Sequence, residues 1–194
     1  MTENFGNIKG YFKIECIKNG KVIDSFEDHN LIMETARHTM AELIAGISGT
    51  PIINKFVIGN KGHIGAKGSG RDDGDILLPK TSENGFIYTR NQLFSEEFGK
   101  PGIDYFQLEF KNSGTSGDIV KCTDGKSSVR CTLEDNKNVV YEINISEDSC
   151  NSKETIIFTE AALYAGSKIF SARCFKAKVK DNTTSLRITW KILF

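Results

Sequence analysis

Between residues 59 and 71 the chain reads Gly59-Asn60-Lys61-Gly62-His63-Ile64-Gly65-Ala66-Lys67-Gly68-Ser69-Gly70-Arg71, glycines interleaved with basic side chains. Free backbone amides beside positive charge are what an anion cradle needs. The spacing is wrong for one. A phosphate loop requires glycine, four residues, then Gly-Lys and a hydroxyl; the chain's Gly125-Lys126-Ser127 has Val120 where the first glycine belongs. A dinucleotide turn begun at Gly68-Ser69-Gly70 needs glycine at position 73, where Asp73 stands. The stretch is therefore expected to be a flexible surface loop, about residues 59–85. Its expected contact residues are Gly59, Asn60, Lys61, Gly62, His63, Lys67, Gly68, Gly70 and Arg71.

The remaining candidates for chemistry are weaker. Asp72-Asp73-Gly74-Asp75 has carboxylates enough for calcium, but the twelve-residue loop order fails at Leu77, Leu78 and Pro79. His29, His38 and His63 have no second His or Cys at ligand spacing, so no zinc site is expected. No serine sits in a G-x-S-x-G turn. Glu96-Glu97 would point apart in a strand and reads as a polar edge rather than an acid–base pair. The reading is of no enzyme, no catalytic residue, no metal and no cofactor.

Composition agrees with a binding role. Lys+Arg and Asp+Glu both total 25, and a zero formal charge lacks the basic footprint of nucleic-acid binding while leaving association with other proteins unopposed. No apolar run is long enough to span a bilayer and no signal peptide opens the chain, so no membrane partner is expected. Five cysteines are scattered; Cys16 and Cys174 fall in apolar alternation and read as small buried hydrophobes. Cys122 and Cys131 flank the turn Asp124-Gly125-Lys126 and could face each other across a hairpin, with thiols the expectation in a reducing compartment.

The elements that would carry these residues are mostly strands. Residues 8–29 read as a hairpin about Asn19-Gly20, with Phe12 opposite Phe26 and Cys16 opposite Val22. Ala36, Met40, Leu43, Ile44 and Ile47 share one face of a helix over about 34–46, closed by Gly46 and Pro51. Strands are expected at 55–59, 86–89, 105–111, 129–133, 139–145, 155–164, 168–179 and 184–194. The last alternates Leu186, Ile188, Trp190, Ile192 and Phe194 toward a core. Turns every dozen residues predict a mostly β chain: one antiparallel β-sandwich domain over 1–194, with one covering α-helix and the long Gly-rich loop.

Two groups of segments resemble small bacteriophage virion proteins of the tail, collar, baseplate and fibre-attachment type. The first is Asn30-Leu31-Ile32-Met33, then Ala41-Glu42-Leu43-Ile44-Ala45-Gly46, then Ile53-Asn54-Lys55-Phe56-Val57-Ile58-Gly59-Asn60. The second is Phe158-Thr159-Glu160-Ala161-Ala162-Leu163-Tyr164, Ile169-Phe170-Ser171-Ala172-Arg173 and Ser185-Leu186-Arg187-Ile188-Thr189-Trp190. Ala162 stands where that family tends to have glycine, and Gly59-Asn60-Lys61-Gly62 is one residue longer than its G-x-G. The resemblance implies a non-enzymatic virion component, assembled in the host cytoplasm as a symmetric multimer, with other virion proteins and copies of itself as partners. Two other readings stay open at this point: a carbohydrate-binding module using a row such as Phe86, Tyr88 and Tyr105, and an enzyme that binds phosphate through the glycine-rich loop.

Overall fold

Period-two alternation dominates the chain, and strands dominate the fold. The computed structural model describes residues 8–62, 89–151 and 155–194. In chain order these form β1 (Lys9–Lys18), β2 (Lys21–Ile32), α1 (Glu34–Ile44), β3 (Ile53–Gly59), α2 (Phe94–Phe98), β4 (Tyr105–Glu109), β5 (Ile119–Lys121), β6 (Ser128–Glu134), β7 (Asn138–Ile145), β8 (Ile156–Ala165), β9 (Lys168–Lys180) and β10 (Ser185–Leu193). The ten strands join in one sheet of order β4-β3-β8-β9-β2-β1-β10-β7-β6-β5. Every neighbouring pair is antiparallel. The expected strand at 86–89 falls largely on residues 86–88, outside the described ones.

The sheet curls on itself, and the core lies inside the curl. Phe12 of β1 stacks on Phe175 of β9 at 5.2 Å between ring centroids. It meets Trp190 of β10 edge-on at 4.9 Å, and Trp190 in turn reaches Phe56 of β3 at 6.3 Å. These four rings are wholly buried. At the far side the curl returns on its own start: Phe110, just past β4, bridges to Cys122, just past β5. The Thr123 N–H donates to the Glu109 carbonyl there at 2.9 Å.

Several expectations give way. The turn at Asn19-Gly20 uses two left-handed residues, φ 51° and 73°, which matches the twist of a two-residue hairpin. Lys18 then pairs with Lys21 and Ile17 with Val22, after which a bulge in β2 shifts the register. Ile14, not Phe12, faces Phe26; Phe12 faces Asp28, and Cys16 faces Asp24 rather than Val22. The alternation in β10 holds through Ile192, but Phe194 lies beyond the last ladder pair, Lys9 with Leu193, and is 57% exposed.

Helix α1 ends at Ile44, with Gly46 left-handed behind it at φ 67°. Only the first part of its predicted apolar stripe is packed, with Ala36 in the core and Met40 against it. Ala36 and Thr39 are buried, whereas Leu43, Ile44 and Ile47 are exposed. The helix is held at its start: the Met33 N–H donates to the Phe170 carbonyl at 3.0 Å, and the Thr35 hydroxyl donates to the Ile169 carbonyl. Its second half leaves apolar side chains exposed.

All five cysteines are free thiols, with Cys16 and Cys174 buried as expected. Cys122 and Cys131 do not face each other. The Cys122 N–H donates to the Ser127 carbonyl, while Cys131 lies opposite Tyr141 on β7.

Candidate functional site

The base of the glycine-rich segment is built from β3, β8 and α2. As β3 ends, three successive amides donate into the protein. The Asn60 N–H donates to the Asp104 carbonyl at 3.0 Å, the Lys61 N–H to Ser95 Oγ at 2.9 Å, and the Gly62 N–H to Thr159 Oγ1 at 2.8 Å. The glycines are there for room. A Cβ on Gly59 would collide with the Ser95 side chain, and one on Gly62 would stand 2.8 Å from Glu160 Cβ.

Glu160 lies beneath them with no exposed surface. Its Oε1 accepts the Ser95 N–H at 2.6 Å and the Ser95 hydroxyl, and its Oε2 accepts the Phe94 N–H at 3.2 Å. Burial pushes its carboxyl up to about 7, against the Ser95 and Phe94 hydrogen bonds that favour the charged form. Glu160 thus ties down the start of α2 by accepting the Phe94 and Ser95 amides, while the Glu96 and Glu97 amides donate to the Leu93 carbonyl. Glu96 completes the turn by accepting the Leu93 N–H at 2.9 Å and the Tyr164 hydroxyl. Glu97 pairs with Arg90. The two glutamates therefore belong to a helix start, not to the strand edge that their adjacency predicts.

Asp104 finishes the base. Its carboxylate accepts Asn60 Nδ2 at 3.1 Å and the Lys100 N–H at 2.8 Å, and it pairs with Lys61 Nζ at 3.3 Å. Burial opposes ionisation, but these partners hold the carboxyl below its ordinary value.

This arrangement works as an anchor among the described residues: Ser95 and Glu160 are both wholly buried, and both Glu160 oxygens accept hydrogen bonds from the start of α2. The amides of residues 60–62 are spent internally and cannot turn toward an anion. Of the predicted contact residues, Gly59, Asn60, Lys61 and Gly62 come together here; His63, Lys67, Gly68, Gly70 and Arg71 lie outside the described residues, as do Asp72, Asp73 and Asp75. His29 lies on β2, with Nδ1 3.3 Å from the Gly10 carbonyl oxygen, and His38 lies on α1. Among the described residues no three His, Cys, Asp or Glu side chains converge as a metal would require.

Sequence reasoning missed Ser95, Asp104 and Glu160 as a unit. One signal was present: Glu160 is the single charge in the strand Ile156–Ala165, nine of whose ten residues are buried.

Of the six segments singled out from the sequence, residues 30–33, 53–60, 158–164 and 169–173 are cross-strand neighbours, while 41–46 lies at the end of α1 and 185–190 on β10. Reading across the sheet, Val57 pairs with Ala162, Ala162 with Ala172, and Ala172 with Leu31. One step along, Ile58 pairs with Ala161 and Ala161 with Arg173; a further step puts Gly59 beside Glu160 and Glu160 beside Cys174. Strands β3, β8, β9 and β2 thus bring segments up to 145 residues apart into one row, where the Arg173 guanidinium donates to the Asp28 carboxylate at 2.7 Å. Comparison with protein-family models, with curated proteins and with solved structures finds no match to this chain.

Proposed function

We propose that this chain is a non-enzymatic structural component of a bacteriophage particle, in the tail, neck, collar or baseplate, that assembles as a symmetric multimer and holds neighbouring subunits or fibres. In this reading the curled sheet works as a two-layer sandwich, α1 covers one end of it, and the glycine-rich segment is the contact element. The observation that supports the proposal is the row across β3, β8, β9 and β2: four of the six segments on which the resemblance rests are strand neighbours in one unit, whose polar groups anchor the end of β3. A second support is the apolar surface left open on Leu43, Ile44 and Ile47, beside a chain of zero formal charge.

The carbohydrate reading gains nothing from Tyr105, which packs against the buried cluster of Val57, Leu93 and Tyr164 rather than presenting its face. The phosphate reading is opposed by the spent amides of residues 60–62.

The decisive experiment is cross-linking mass spectrometry on particles purified from cells that make this chain. The expected result is a fixed copy number in the particle, with cross-links from Lys61 or Lys67 to neighbouring subunits. Its absence from intact particles overturns the proposal, as does a monomer at every concentration that turns over a phosphate ester.

A further inference from the structure

We infer that the relay from Lys61 through Ser95 to Glu160 is a pH-sensitive clasp that fixes residues 59–62, at the end of β3, against α2 and tightens on acidification. The inference stands on the geometry of the clasp and is independent of what the loop binds.

Three elements meet at one carboxyl group: the end of β3, the start of α2 and β8. The Lys61 amide holds Ser95 Oγ at 2.9 Å, the Ser95 hydroxyl holds Glu160, and Glu160 holds the Phe94 and Ser95 amides that begin α2. The close seats of Gly59 and Gly62 exist only while Ser95 and Glu160 stay in place. Opening at this corner takes the loop base and α2 away together and returns Glu160 to water.

Water changes the acid strength of that group. Exposed, a glutamic acid ionises near its ordinary value of 4.5; enclosed here it ionises at about 7. Between those values the closed clasp holds a proton that the open one has lost, so acid favours closure and alkali favours opening. Protonation does not break the relay, because the Ser95 hydroxyl can donate to a carboxylate or accept from a carboxylic acid.

The other titratable groups around Glu160 among the described residues are Arg90, Glu96, Tyr164 on the same strand, and Cys174 opposite on β9. Arg90 favours the charged carboxylate. Tyr164 and Cys174 are driven upward by burial and keep their protons through the neutral range. Glu96 is occupied by the Tyr164 hydroxyl, the Leu93 amide and Gln107 Nε2. Glu160 is therefore the group whose titration makes closure depend on pH between its open and closed values.

Amide hydrogen exchange over pH 5.5 to 8, divided at each pH by the intrinsic chemical rate, tests this. For peptides covering 59–62 and 93–99, protection should fall by about tenfold or more across that range. In Glu160→Gln, which does not titrate, the corrected profile should be flat. In Ser95→Ala the pH dependence should vanish at 59–62 and persist at 93–99. A flat profile in the unmutated chain, or an unchanged slope in either variant at the peptide where it should vanish, overturns the inference. Should Glu160→Gln not fold, a carboxyl NMR titration of the unmutated chain decides: a Glu160 midpoint above 5.5 sustains the clasp, and one below it ends the argument.

Discussion

The indole Nε1–H of Trp190 donates to the hydroxyl of Ser171 at 3.0 Å, and that hydroxyl donates onward to the Leu31 carbonyl at 2.9 Å. Both residues are wholly buried. The two bonds run from β10 across the core to β9 and on to β2, the strand paired with β9 in the sheet. A buried tryptophan must find an acceptor for its N–H, and a serine in an apolar wall supplies one.

Trp190→Ala should cost about 3–5 kcal/mol, the range for an aromatic removed from a packed core. Ser171→Ala should cost about 1–3 kcal/mol by leaving the indole N–H buried without its acceptor. Trp190 and Ser171 share a bond, so the double variant should cost less than the sum of the two. Urea unfolding of the four proteins measures all of this, and additive losses would show that the bond contributes nothing.

Lys180 offers a second case. Its ammonium is wholly buried and shares its three N–H groups among four oxygens: the carbonyls of Glu147 at 3.0 Å, Asp181 at 3.2 Å and Thr184 at 2.8 Å, and Asn151 Oδ1 at 2.9 Å. Lys180→Met keeps the stem and strands the four acceptors. A loss of about 3 kcal/mol is expected, since each acceptor left buried and unmet is costly. Retained stability in thermal melts would mean that water replaces the ammonium.

Asp124 supplies a test in acid. Its carboxylate accepts the amides of Lys126 and Ser127 at 3.0 and 2.9 Å, the Ser127 hydroxyl at 2.7 Å and the Ser149 hydroxyl. Burial would raise its carboxyl, but the bonds from Ser149 and Ser127 outweigh that and hold it below the ordinary 3.8. The folded pKa is depressed, so the stability it contributes is present above 3.8 and is lost as pH falls through the lower folded value. The advantage of the unmutated chain over Asp124→Asn should therefore be full at pH 5 and should shrink steadily below pH 3.8. Denaturant midpoints at several pH values read it directly.

Ile44 is 89% exposed on the end of α1. Ile44→Glu should leave the melting temperature of the isolated chain unchanged, within the ±0.5 kcal/mol usual for surface changes. If the proposed multimer uses this surface, the same substitution should shift sedimentation toward smaller species. A lowered melting temperature with unchanged sedimentation would place Ile44 in the fold instead.

Much of the architecture could be read from residue order because its signals are local. The alternation of Tyr141, Ile143 and Ile145 and of Leu186, Ile188 and Trp190 fixed which side chains are buried in the central strands. What escaped was non-local. Spacing shows that Leu43, Ile44 and Ile47 share a face, but it cannot say how far the sheet beneath extends. The β1–β2 register turned on one extra residue in β2, which no pattern of apolar positions announces. Helix α2 is five residues long and is held by Glu160, more than 60 positions away. The site shared that blindness: Ser95, Asp104 and Glu160 look like ordinary polar residues until the sheet brings them under Gly59 and Gly62.

The bridge between Phe110 and Cys122 has a further effect on how the molecule behaves in company. A flat sheet with bare outer strands invites a second molecule to add its own strand, and then a third, until a fibril grows. Here the first and last strands of the described order are stapled together at one corner, so neither offers a long ladder to extend. The closure is therefore expected to let such a molecule stand crowding by its own copies. Loosening that corner, with the core untouched, is the change that would turn crowding into aggregation.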